Sequence, residues 1–82
     1  MTGIIIAIPK IEDGRKLKNI LVRSGYTVTA VCATGAQAVS QAESLDDGIV
    51  ISACRLPDMM FTELQGQLPE GFELLLMASR HL

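Results

Sequence analysis

The sequence predicts an α/β protein with three layers, α/β/α, in which a doubly wound parallel sheet lies between two layers of helices. Two observations lead to this fold class. Short, nearly continuous apolar runs recur along the chain, as expected for strands that are buried on both faces. Segments with apolar residues at helical spacing separate these runs, and such alternation builds parallel sheets through right-handed crossovers.

The chain of 82 residues has room for one domain, residues 1–82, with a small core. Its residues are 49% hydrophobic, which excludes a disordered chain. The net charge is −2 and the seven basic residues are scattered, so this segment offers no basic surface for nucleic acid. The apolar run near the N-terminus is too short to span a membrane and lacks the features of a signal peptide. We therefore expect a cytoplasmic protein without membrane contact.

The first strand and the first helix are predicted within residues 4–25. Residues 4–8 are continuously apolar and Pro9 closes the run, which indicates a buried parallel strand. From about Asp13 the apolar residues recur at helical spacing, and Gly25 is well placed to follow the last turn of the helix. The predicted apolar face of this helix consists of Leu17, Ile20 and Leu21.

The second strand and the second helix are predicted within residues 26–48. Residues 26–33 alternate in polarity before they become apolar, which is typical of a strand nearer the edge of a sheet. Thr34 and Gln37 have the spacing of a capping box, in which each side chain hydrogen-bonds to the backbone amide of the other residue. The predicted helix face consists of Ala38, Val39, Ala42 and Leu45.

The third strand is predicted over residues 48–54, and a fourth strand over residues 72–79. Between them a helix follows Pro57, with Asp58 as its predicted N-cap. Its apolar positions are Met60, Phe61, Leu64 and Leu68. The group Met59-Met60-Phe61 suits an adaptable binding surface as well, although the helical spacing favours core packing.

Three helices cannot cover both faces of four such strands. A bare apolar face would cost several kcal/mol at about 25 cal/mol per Å² of exposed area. A longer natural chain, a tight oligomer or an exchange of elements between protomers would each cover that face. We expect the first, a chain truncated here, with dimerisation as its consequence.

In a doubly wound sheet, a ligand site lies at the carboxyl ends of the strands. The turn after the first strand, Pro9-Lys10-Ile11, has no glycine, which argues against a dinucleotide site. The nearby acids are Glu12, Asp13 and Asp58, and each has the position of a helix-start residue. We therefore expect no metal and no cofactor. Lys10 and Arg55 follow strands and could hold an anion, although solvated charges at a rim are more common.

The two cysteines, Cys32 and Cys54, lie in apolar runs, and we expect both to be small buried residues. Cys54 would need a neighbouring base to act as a nucleophile. The sole histidine is His81, next to the C-terminus, so packing is the better interpretation of Cys54. We do not expect an enzyme.

The segment "IVISACRLPDM" resembles the third strand and the following loop in the receiver domains of two-component response regulators. The matching residues are Val50, Ile51, Ser52, Leu56, Pro57, Asp58 and Met59. Residues 14–39 are similar to the stretch of the same family that runs from the first helix into the second, including the pair Gly25-Tyr26. The resemblance covers the whole chain and about two thirds of the family fold. It implies flavodoxin-like topology with strand order 2-1-3-4, and with the last strand and the last helices missing.

The residues that depart from the family pattern are those that carry its chemistry. Active receivers accept phosphate on an aspartate at the end of the third strand, and the resemblance places Ala53 there. Ile8 and Pro9 occupy the positions of the two acids that hold Mg²⁺. The hydroxyl residue that ends the fourth strand falls at Ala78, or at Ser79 after a one-residue shift. These are degenerate phosphorylation-site positions, and the usual transfer from a histidine kinase is closed.

The resemblance therefore implies a pseudo-receiver, a response regulator module that signals without phosphorylation through protein contact or dimerisation. Its expected partner is another protein or a second copy, and no small-molecule ligand is expected. Among families with degenerate receivers, the ANTAR-type antitermination regulators carry an RNA-binding helical domain, and nucleic acid would be reached only through such a domain outside this chain. The alternatives are a fragment of a small-molecule-binding α/β domain or enzyme, and an interaction protein of another kind.

Overall fold

The computed structural model describes residues 3–77, in which four strands alternate with three helices. Apolar runs rich in β-branched residues form the strands, and segments with helical periodicity form the helices. In chain order the elements are β1 (Gly3–Ala7), α1 (Ile11–Arg23), β2 (Val28–Cys32), α2 (Gly35–Glu43), β3 (Gly48–Ala53), α3 (Phe61–Gln67) and β4 (Phe72–Met77).

The four strands form one parallel sheet with the order β2-β1-β3-β4. This is the strand order of flavodoxin-like folds, so the predicted fold class and order are confirmed. β1 lies inside the sheet, and its side chains are buried along the whole strand. This explains why its sequence is continuously apolar rather than alternating.

Helices cover both faces of the sheet, because alternate residues of a strand point to opposite sides. One buried cluster joins the sheet to α2 and α3, and its members are Ile5, Ala7, Cys32, Ala38, Ala42, Val50, Leu56 and Leu64. The other joins the sheet to α1, and it consists of Ile4, Ile6 and Ile8 with Leu17 and Leu21 packed against them. The molecule is therefore doubly wound around β1.

α1 packs on the sheet through Gly14, which is buried. A Cβ atom added at Gly14 would lie 2.7 Å from Cγ1 of Val31 in β2, so only glycine permits this approach. The helix begins at Ile11, two residues before the predicted start near Asp13, and Gly25 follows its end with φ 93° as predicted. The prediction that Ile20 faces the core is wrong, because the contact line runs through Gly14 and leaves Ile20 exposed.

α2 begins with the predicted capping interaction. Thr34 Oγ1 accepts a hydrogen bond of 3.2 Å from the backbone N–H of Gln37. The return bond differs from the prediction by one residue, since Gln37 Oε1 accepts from the N–H of Ala33 at 3.0 Å. Both bonds satisfy backbone donors at the point where the chain leaves β2.

α3 starts later than the sequence suggests. Its N-cap is Met60, which makes no capping hydrogen bond with its side chain, so the predicted N-cap role of Asp58 in this helix is wrong. The chain before the helix is held in a loop by an isolated antiparallel bridge between Arg55 and Met60. That bridge keeps the preceding residues out of the helix, and α3 is short, with Leu64 as its buried anchor.

Exposed apolar side chains are found on β4, where Leu75 and Leu76 are each about half exposed. β4 lies at the edge of the sheet, next to β3 alone within the part of the chain that the structure describes. None of the helices in residues 3–77 combines the length and the apolar character that crossing a bilayer requires.

Candidate functional site

A cleft of about 600 Å³ opens at the carboxyl ends of β1, β3 and β4. This is the edge at which doubly wound sheets place their ligand sites. Its lining residues are Ile8, Pro9, Lys10, Asp13, Ala53, Cys54, Arg55, Leu76 and Met77. The lining is therefore mainly apolar, with three charged residues among its members.

The structure brings together three of the four positions that the resemblance to receiver domains equates with a phosphorylation site. Ala53 is the last residue of β3, and Ile8 and Pro9 directly follow β1, its neighbour in the sheet. All three line the cleft. Ala78 lies outside the described residues. The side chains at these three positions are hydrocarbon, so they offer neither an oxygen for phosphate nor a ligand for a divalent ion.

Carboxylates do not converge elsewhere in the described chain. Within residues 3–77, no group of three or more His, Cys, Asp and Glu side chains is placed to hold a metal ion. Glu12 and Asp13 lie in the first turn of α1, where negative charge interacts favourably with the helix dipole. The acids near the cleft thus have the positions that the sequence predicts for them, except for Asp58.

The charged residues of the cleft lie at its rim. Lys10 is the N-cap of α1 in an extended conformation, and Arg55 begins the loop after β3. Both side chains are exposed. They can meet an anionic group that approaches from solvent, above an apolar floor.

The two cysteines have different surroundings, and both are free thiols. Cys32 is buried at the end of β2, and burial raises the pKa of its thiol. Cys54 is exposed, so the prediction that it packs as a small buried residue is wrong. The reason is that β3 ends at Ala53, and the loop then carries Cys54 into the lining of the cleft.

The loop from Cys54 to Phe61 is closed on itself by backbone hydrogen bonds. The N–H of Leu56 donates to the carbonyl of Met59 at 2.9 Å, and the N–H of Phe61 donates to the carbonyl of Cys54 at 3.1 Å. The side chain of Leu56 is buried in the core on the α2 side of the sheet. This wall of the cleft is therefore a fixed turn around Pro57.

Asp58 fastens this loop to the start of α2. Its Oδ1 accepts a hydrogen bond of 2.8 Å from the N–H of Gly35, and its Oδ2 accepts one of 2.9 Å from the N–H of Ala36. These two bonds lower the pKa of the Asp58 carboxyl, because they stabilise its ionised form. Asp58 therefore caps the first turn of α2, and not α3 as the sequence predicts.

Met59 completes the contact between the loop and α2. A Cβ atom added at Gly35 would lie 2.5 Å from Met59 Sδ, so the methionine lies directly over the first turn and would have to shift for any larger residue. Met59 packs against the core on this side, whereas Met60 is exposed. Core packing, the favoured interpretation of this methionine group, is therefore correct for Met59 alone.

The chain has no significant match among protein-family models, curated proteins or solved structures. The interpretation of the cleft thus depends on its own residues. These are hydrocarbon side chains at three strand ends, two exposed cations, an accessible thiol and a loop tied to α2.

Proposed function

We propose that the protein is a phosphorylation-independent, receiver-like signalling module of the cytoplasm that acts through contact with another protein or with a second copy. The observation that carries this proposal is the methyl group of Ala53 at the end of β3, inside the cleft. The receiver fold uses that position for its phosphate. A methyl group has no lone pair with which to accept a phosphoryl group.

The residues around Ala53 support the same proposal. Phosphoryl transfer to a carboxylate needs a divalent ion to neutralise the developing charge. The side chains of Ile8 and Pro9, at the end of β1, carry no oxygen that could bind one. Cys54 is a nucleophile by type, but none of the described residues near it is a histidine, which could serve as its base.

The loop after β3 gives a route by which a contact could be transmitted. A partner that displaces this loop must break the two hydrogen bonds that the backbone amides at the start of α2 donate to Asp58. It must also move Met59 away from Gly35. Binding at the cleft would in this way change the contacts at the start of α2. The output under its control, with RNA-binding antitermination as the case suggested by the resemblance, belongs to the same proposal.

The proposal is tested by incubating the protein with acetyl phosphate and Mg²⁺ and measuring its intact mass. We expect an unchanged mass, while an active receiver domain treated in parallel gains one phosphoryl group. A single stable phosphoryl adduct on this protein would contradict the proposal.

A second candidate function is the binding of a small molecule in the cleft. The specific observation in its favour is the cleft volume of about 600 Å³, which lies within the range of ligand pockets, together with its apolar lining. Lys10 and Arg55 at the rim would then select a ligand with an anionic group.

Thermal denaturation with a panel of nucleotides and cofactors separates the two functions. A signalling module that works by protein contact gives a flat response. A rise in Tm that the variant Arg55→Ala loses and the control Arg15→Ala keeps would favour ligand binding, because Arg15 is exposed on α1 and does not line the cleft.

A further inference from the structure

β4 is an edge strand that pairs regularly with its one neighbour in the described sheet. It pairs with β3 in an unbroken register from Gly48–Phe72 to Ala53–Met77. Within residues 3–77, no strand pairs with its other side. The strand reads FELLLM, with one charged residue and no proline. An apolar edge strand without proline is a template for pairing with another strand.

The hydrogen-bonding groups that remain free on β4 can be identified from its pairing with β3. The N–H of Gly48 donates to the carbonyl of Gly71 at 3.3 Å, so Gly71 points toward β3. Successive residues of a strand direct their backbone groups to alternate sides. Leu74 and Leu76 therefore direct their N–H and C=O groups outward, where a further strand would bond to them.

The opposite edge of the sheet, β2, is protected from such pairing. Ile4 pairs with Val28 but Ile5 pairs with Ala30, so Thr29 has no partner in β1. The Thr29 hydroxyl donates to the carbonyl of Ile4 at 3.2 Å. An irregularity of this type twists an edge and hinders strand addition. β4 has no comparable device.

The exposed side chains of β4 favour a partner that adds a strand at the sheet edge over a partner that packs on one face of the sheet. Leu75 is 49% exposed and Leu76 is 46% exposed. As neighbours in a strand they point to opposite faces of the sheet. A partner that lies on one face covers one of them, whereas a strand added at the edge contacts both.

We propose that β4 pairs with β4 of a second copy of this chain, antiparallel and about a two-fold axis at Leu75. Leu74 then lies opposite the partner's Leu76 and exchanges backbone hydrogen bonds with it. The two Leu75 side chains meet as a non-hydrogen-bonded pair, in which side chains are close. This register fits the charge pattern of the strand, because the two Glu73 carboxylates lie about 13 Å apart along the strands.

In this pairing, a second copy is the partner and β4 is the surface of the contact that the proposed function requires. The role of the pairing in signalling rests on that proposed function. Different results would contradict the pairing and the proposed function. A phosphoryl adduct contradicts the proposed function and leaves the pairing intact, while a monomeric protein contradicts the pairing alone.

Sedimentation equilibrium of the full chain and two variants tests the pairing. We expect the wild type to sediment at twice the chain mass and Leu75→Lys at the monomer mass, because the substitution places two like charges opposite each other. Val22→Lys is the matched control, since Val22 is 51% exposed on α1, and it should stay dimeric. A monomeric wild type, or a Leu75→Lys dimer, would overturn the proposal.

Disulfide trapping tests the same pairing without a lysine substitution. Its result therefore does not depend on whether the Leu75→Lys variant folds well. In a Cys54→Ser background, which removes the exposed thiol, Leu75→Cys should oxidise to a covalent dimer. The Cα atoms of a non-hydrogen-bonded antiparallel pair lie about 4.5 Å apart, within disulfide range. Val22→Cys in the same background should remain monomeric on a denaturing gel. Equal cross-linking of both variants, or none at Leu75→Cys, would also overturn the pairing.

Discussion

The carboxylate of Asp58, in the loop after β3, accepts a 2.8 Å hydrogen bond from the backbone amide of Gly35, the first residue of α2. The second carboxylate oxygen accepts from Ala36. One side chain thus caps a helix that begins 23 residues earlier in the chain. This cap joins the wall of the cleft to the helix layer beside it.

Removal of this cap should destabilise the fold. Asp58→Ala leaves two backbone donors of α2 without a protein acceptor, so we expect a lower Tm in thermal denaturation. Asp58→Asn keeps one acceptor oxygen and loses the charge, so its Tm should fall less. The control Glu43→Ala changes an exposed acid at the other end of α2 and should leave the Tm near that of the wild type. An Asp58→Ala variant with unchanged Tm would show that water replaces the cap without cost.

The same carboxylate should make stability depend on pH in a predictable direction. The folded state holds the pKa of Asp58 below its ordinary value of 3.8. The stabilisation is therefore fully present above that value, and it is lost as the pH falls through the folded pKa. We expect the Tm difference between the wild type and Asp58→Asn to be constant from neutral pH down to the region above 3.8, and to shrink below it. A difference that grows on acidification would contradict this assignment.

Gly14 should be required for the contact between α1 and β2. Alanine is the better helix former by about 1 kcal/mol, but its Cβ would lie 2.7 Å from Val31 Cγ1. Overpacking of this kind costs about 1–3 kcal/mol, so urea unfolding of Gly14→Ala should show a net loss of stability. Gly66→Ala is the matched control, because a Cβ there meets nothing within 4 Å in α3. That variant should be as stable as the wild type or more so.

Thiol labelling should separate the two cysteines. Cys54 is exposed, while Cys32 is buried and the raised pKa of its thiol disfavours the reactive thiolate. Mass spectrometry after brief treatment with iodoacetamide should show one label on the native protein, at Cys54, and two labels after unfolding in urea. Rapid labelling of Cys32 in the native state would show that the end of β2 opens easily.

The features that the sequence predicts well are those encoded locally. The continuous apolar run of β1 requires burial on both faces, and the bond that the Gln37 N–H donates to Thr34 spans three residues. Gly25 was predictable for the same reason, because the left-handed turn after α1 favours glycine. In each case the neighbours along the chain determine the conformation.

The features that the sequence does not predict depend on contacts between distant segments. Asp58 precedes a helix and has the residue type of its N-cap, yet it bonds to α2, because the loops after β2 and β3 both pass the carboxyl end of β1. Cys54 looks buried from its apolar neighbours, and its exposure follows from the end of β3 one residue earlier. The strand order 2-1-3-4 would have suggested that these two loops meet. It would not have shown which amides the carboxylate selects.

The irregular register at Thr29 would also limit the size of an assembly built by the proposed pairing. A filament that grows by adding strands to a sheet needs two edge strands free to pair on every subunit, one for each neighbour. In the proposed dimer, one edge of the sheet is irregular at Thr29 and the other is occupied by the partner strand, so this pairing would close the assembly at two subunits.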